Sequence, residues 1–135
     1  MSRILSVSYD EALLYTRRLL LEAAGYSVTS AFGFKESLYQ CKQGGFELFI
    51  LGHSILLSDK QALIKEFRAS CPGSILSLRL PSESDVEGAD FYVDPDPESV
   101  LRVVAQILDL TQPKGPQSST GHPKPLLLRM PRNRF

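Results

Sequence analysis

The sequence predicts an α/β fold, a doubly wound parallel sheet of five strands with helices on both faces. Three observations point there. Short β-forming runs alternate with segments of helical period along residues 3–110. The connections between them are short and marked by Gly and Pro, as crossover connections in such sheets are. The central run Phe46-Glu47-Leu48-Phe49-Ile50-Leu51 is apolar at nearly every position, which suits a strand covered on both sides.

Taken in order, Ile4-Leu5-Ser6-Val7 reads as a buried first strand. Ser8 and Glu11 have capping-box spacing and predict a helix start. Leu13, Leu14, Arg17, Leu20, Leu21 and Ala24 then recur at helical spacing until Gly25 ends the helix. Tyr26 to Ala31 is rich in β-formers and reads as a second strand. A helix over 35–42 stops at Gly44-Gly45, and the run from Phe46 to Leu51 is the third strand. Ser58, with Gln61 three residues on, predicts the cap of a third helix reaching Ala69, before Cys71-Pro72-Gly73 breaks it. Ser74 to Leu78 is a fourth strand and Phe91-Tyr92-Val93 a short fifth. Glu98 to Leu110 is a last amphipathic helix, with Val100, Val104, Ile107 and Leu108 inward. Between the last two strands, Pro81 to Gly88 is too short and polar for a full helix, so the fourth helix is shortened or missing.

Charge divides the chain in two. The formal net charge is zero, yet Lys114, Lys124, Arg129, Arg132 and Arg134 stand in 111–135 without a single acid. Residues 1–110 form the predicted domain and hold all fifteen acids. An acidic body of this kind is not built for nucleic acid. The tail, 111–135, holds five prolines and predicts a disordered segment. Its Leu126-Leu127-Leu128-Arg129-Met130 run, read as an anchor for a partner, weighs less than a solvated tail. Cys41 and Cys71 suggest neither a disulfide framework nor a zinc site, and read as small hydrophobes in a reducing compartment. No leader is visible, and Arg17 and Arg18 interrupt the leucine-rich stretch that would have to span a membrane. The expected location is the cytoplasm.

Doubly wound sheets place their functional site beyond the carboxyl ends of the strands. Those ends carry Ser8-Tyr9-Asp10, Gly52-His53-Ser54, Arg79 and Asp94. The five strands and their helices fit the flavodoxin-like arrangement. In this order the phrases Ile4-Leu5-Ser6-Val7, Leu21-Glu22-Ala23-Ala24-Gly25-Tyr26, Phe46 to Leu51, and Gly88-Ala89-Asp90 with Tyr92 resemble the receiver domain of bacterial two-component response regulators. The resemblance spans about four fifths of the chain.

That family accepts phosphate on an aspartate directly after the third strand. It holds magnesium with an acidic pair after the first strand and assists with a lysine near the fifth. Magnesium needs oxygen ligands, usually one or two carboxylates with water and phosphate. In this sequence the acceptor position falls on Gly52 and the acidic pair on Ser8 and Tyr9, with Asp10 the nearest carboxylate. The hydroxyl residue after the fourth strand becomes Arg79, and the lysine before proline aligns with Asp94 before Pro95. No other lysine is expected nearby. The resemblance therefore implies a degenerate pocket that binds no metal or cofactor and does not become phosphorylated on aspartate.

Bland readings stand beside sharp ones. His53 reads as a loop histidine with local hydrogen bonds rather than a phosphoryl acceptor or metal ligand. Arg79 reads as the partner of Asp10 or Asp94 in an internal ion pair, rather than an anion site. Tyr9 is expected to cover the emptied pocket. Glu83, Asp85, Glu87 and Asp90 read as a solvated loop. No catalytic triad, phosphate-cradling glycine loop or paired catalytic carboxylates occur, so no enzymatic activity is expected. The reading is a pseudo-receiver: a phosphorylation-independent interaction module in two-component (phosphorelay) signalling, with a protein partner and room for a homodimer. The alternatives are a working receiver using Ser54 or His53, or a small-anion-binding domain.

Overall fold

A computed structural model of the chain describes residues 2–81 and 86–111. Glu83, Asp85 and the basic tail from 112 onward lie outside the described residues. The strands are β1 (Arg3–Ser8), β2 (Ser27–Phe32), β3 (Leu48–Leu51), β4 (Ser74–Leu78) and β5 (Phe91–Val93). The helices are α1 (Glu11–Ala23), α2 (Phe34–Gln43), α3 (Leu57–Ser70) and α4 (Pro97–Thr111). All strand pairs are parallel, in the order β2-β1-β3-β4-β5. This is the flavodoxin-like topology, whose strand order reverses between β1 and β3. No helix lies between β4 and β5 among the described residues, in keeping with the predicted shortening.

Two cores flank the sheet because strand side chains alternate between its faces. Leu5, Val7, Phe49, Leu51 and Ile75 pack against Leu63, Ile64 and Phe67 of α3 and Cys41 of α2. Ile4, Leu48, Ile50, Leu76 and Leu78 pack against Leu21 of α1 and Val100, Val104, Ile107 and Leu108 of α4. The four α4 positions predicted inward are at most 1% exposed. Phe49 and Phe67 stack with ring centroids 4.6 Å apart, fixing α3 to the middle of the sheet.

Both predicted capping boxes differ from the structure. α1 is capped by Asp10, whose Oδ1 accepts from the N–H groups of Ala12 (2.9 Å) and Leu13 (3.2 Å). β1 runs one residue further than expected, so Ser8 belongs to the strand and the cap moves on by two. α3 begins at Leu57, after Leu56, and has no side-chain cap, so Ser58 sits inside the helix. At the other end of α1, Gly25 takes a φ of 102°, the left-handed conformation that releases the chain into β2.

Asp90 is a structural residue rather than part of a solvated loop. Its carboxylate accepts the Ile75 N–H at the start of β4 (2.8 Å) and pairs with the Arg68 guanidinium of α3 (3.0 Å). Arg68 also donates to the Gly88 carbonyl at 2.7 Å. The turn leading into β5 is thus tied to α3 and β4 together.

Candidate functional site at the strand ends

The carboxyl ends of β1, β3, β4 and β5 deliver Ser8, Gly52, Arg79 and Asp94 to one rim, as the topology requires. Ser8 is fully buried, and its Oγ lies 2.9 Å from Ser54 Oγ and accepts the Asp10 N–H at 3.0 Å. Ser54 Oγ also accepts the Tyr9 N–H at 3.0 Å. These bonds stitch the β1–α1 turn to the loop after β3. Tyr9 is half-buried against the α2–α3 core, and its hydroxyl donates to Asp59 of α3 at 2.8 Å. Desolvation, reinforced by Asp59, raises the phenol pKa and keeps that proton in place.

Gly52 sits at the switch point, its N–H bonded to the Val7 carbonyl at 2.9 Å. A Cβ built there would lie 3.1 Å from the Val7 carbonyl oxygen and 3.4 Å from both Ser8 Cβ and Arg17 Nη1. The space a side chain at Gly52 would enter is therefore bounded by a cation. Arg17 comes from α1, is 5% exposed, and its buried Nη1 has no hydrogen-bond partner. Burial pulls the pKa of its guanidinium down, and the nearby Asp10 carboxylate pulls it part of the way back. A guanidinium remains charged in proteins regardless, so a fixed positive charge stands beside Gly52, within the field of Asp10.

This arrangement corrects the expected ion pair. Neither Asp10 nor Asp94 pairs with Arg79 among the described residues: the Asp10 carboxylate turns to the helix N-terminus, and the cation in its field is Arg17. Arg79 instead extends the sheet through its N–H, bonded to the Val93 carbonyl at 3.0 Å. Asp94 follows β5 directly, half-buried at the same rim.

A lysine does reach the rim, by a route the sequence did not suggest. Lys60 of α3 is 5% exposed, and its Nζ donates to Ser77 Oγ and to the Leu78 carbonyl, both at 2.8 Å. With Arg79, His53, Ser54, Ile55, Leu56 and Leu57 it lines a cleft of about 270 Å³. His53 does not make the expected local bond at Nδ1, which is buried without a partner. Leu56 and Leu57, which line the cleft, are exposed, as is Leu80 next to Arg79 in the chain.

Magnesium does not fit these residues. The rim near Gly52 offers two serine hydroxyls already bonded to each other and one carboxylate engaged as a helix cap. A guanidinium nitrogen lies 3.4 Å from where a Cβ at Gly52 would stand, and its charge repels a cation. Among the described residues, no group of three or more His, Cys, Asp or Glu side chains gathers as a metal site. No helix among them is long and apolar enough to cross a membrane.

No protein-family model matches the chain, and no curated protein matches it. Solved structures do. A CheY-like response regulator receiver domain from Methanospirillum hungatei aligns with a TM-score of 0.71 at 23% identity, over 90% of this chain and 99% of that one. A two-component response regulator from Clostridium difficile aligns at 0.71 and 19% identity, over 83% and 100%. The Thermotoga maritima response regulator TrrA, solved with Mg(2+)-BeF, aligns at 0.68 and 23% identity, over 79% and 99%. At such identities the likeness shows the fold, which is that of CheY-like receivers.

Proposed function

We propose that the chain is a degenerate receiver domain, acting in signal transduction through protein contacts and without aspartyl phosphorylation. The observation that carries this reading is Arg17 beside Gly52: the acceptor position has no side chain, and a buried cation borders the space. A magnesium ion would neutralise charge on a transferring phosphoryl group. Here the positive charge is built into α1 and cannot dissociate. The module is a binder rather than an enzyme, with its domain in residues 1–110 and a protein as its partner.

The test is intact mass after incubation with acetyl phosphate and magnesium, beside an ordinary receiver. No phosphate on the wild-type chain is expected. Gly52→Asp alone should also stay unmodified, because Arg17 holds the new carboxylate in an ion pair. A stoichiometric phosphate on the wild type would overturn the reading, and its position would show whether Ser54 or His53 accepts it. Affinity capture with the full chain should yield the same partner with and without the phosphodonor.

A further inference from the structure

The sequence sets Cys41 and Cys71 thirty residues apart, with nothing to join them. The fold brings them together. Cys41 lies in the last turns of α2 and is 2% exposed, while Cys71 ends α3 and is half-buried. Their sulfurs are 2.8 Å apart, and the Cys71 thiol also reaches the Cys41 carbonyl at 3.2 Å. A disulfide requires sulfurs about 2.05 Å apart, so side-chain rotation through less than an ångström would bring them to bonding distance. The backbone around Cys71 is held by its N–H, which bonds to Phe67 at 2.8 Å, and by Pro72 after it.

We infer that Cys41 and Cys71 form a reversible disulfide, a redox modification site that ties α2 to the end of α3. Cys71, the more exposed thiol, is the point of entry. With oxidised glutathione as the oxidant, the Cys71 thiolate attacks one glutathione sulfur and releases one glutathione thiolate. That thiolate takes the Cys41 proton, and the Cys41 sulfur then attacks Cys71, displacing the second glutathione. Two protein thiols become one disulfide while one oxidised glutathione becomes two reduced ones. Burial and the neighbouring Cys71 push the Cys41 thiol up to about 12, so Cys41 stays protonated until the mixed disulfide places an electrophile against it. The closed loop contains β3 and all of α3, so the bond constrains the unfolded chain.

The experiment treats the folded full-length protein with oxidised glutathione and records intact mass, a tryptic map without reductant, and thermal unfolding. The expected result is the loss of two hydrogens, a cross-link joining peptides 36–42 and 69–79, and a Tm raised by several degrees. Dithiothreitol should reverse all three. Cys71→Ala, at the half-buried position, should abolish the mass loss while keeping the far-UV spectrum. A stable glutathione adduct left on Cys71 would overturn the inference. So would an unchanged mass, or a cross-link that appears only in denaturant.

Discussion

Two cations are buried at the strand ends, one from each face of the sheet, and they are held in opposite ways. Lys60 of α3 is 5% exposed and gives hydrogen bonds to Ser77 Oγ and the Leu78 carbonyl. Arg17 of α1 is equally buried, yet its Nη1 bonds to nothing and its compensation is the field of Asp10. A buried charge is tolerated when its donors are satisfied and costs stability when they are not. The difference separates a cation that is satisfied by hydrogen bonds from one that is not. Lys60 stitches α3 to β4, whereas Arg17 borders Gly52 with its Nη1 unbonded.

Variants that sharpen this contrast should differ in size and in sign. Lys60→Met keeps the aliphatic stem but removes two charge-assisted bonds, and should lower unfolding free energy by about 3 kcal/mol in urea titrations. Asp10→Ala removes both the α1 cap and the carboxylate facing Arg17, and should cost about 2 kcal/mol. Asp10→Asn keeps a good cap, so the gap between these two variants reports the electrostatic support given to Arg17 alone. Arg17→Met should leave stability unchanged or raise it by up to about 1 kcal/mol, since it removes an unpaired buried donor. A loss of the Lys60→Met size for Arg17→Met would mean that both cations are structural, and the comparison would fail.

The smallest effect concerns alkaline pH. The Tyr9, Tyr26 and Cys41 pKa values are all raised in the fold, chiefly by desolvation. Each stays protonated at a pH where the unfolded chain has released its proton, so the unfolded state binds fewer protons and stability falls as pH rises. The contribution is fully present below the ordinary values of 9.0 for the thiol and 10.0 for the phenols. Chemical denaturation from pH 8 upward should show this decline, and Tyr9→Phe should flatten its slope.

The fold was largely legible because its signals are local. Apolar runs, Gly25 and the helical period of the last helix each act over a few residues, and β4 and β5 coincide with their predicted spans. The helix starts were less legible, because Ser8 and Ser58 satisfy a spacing rule that says nothing about where the preceding strand stops. At the site, the positions facing Gly52, Arg79 and Asp94 were readable from strand ends alone. The side chains that reach them from helices were not. Arg17 was visible as the single cation on an apolar stripe, and that mismatch was the available signal. Lys60 and Asp90 gave none, since a lysine or an aspartate in a polar stretch looks solvated until the tertiary fold brings acceptors or donors to it. The proximity of Cys41 and Cys71 likewise arises only when α2 and α3 share a face.

The three-residue strand β5 has a consequence for self-association. A sheet edge exposes unpaired backbone groups that template pairing with another chain, and long flat edges promote aggregation. Here the β5 edge offers only Phe91–Val93 before Pro95, whose ring removes an N–H a neighbouring strand would need, and α4 begins at Pro97. A short, proline-terminated border leaves little backbone for another chain to pair with on the β5 side of the sheet.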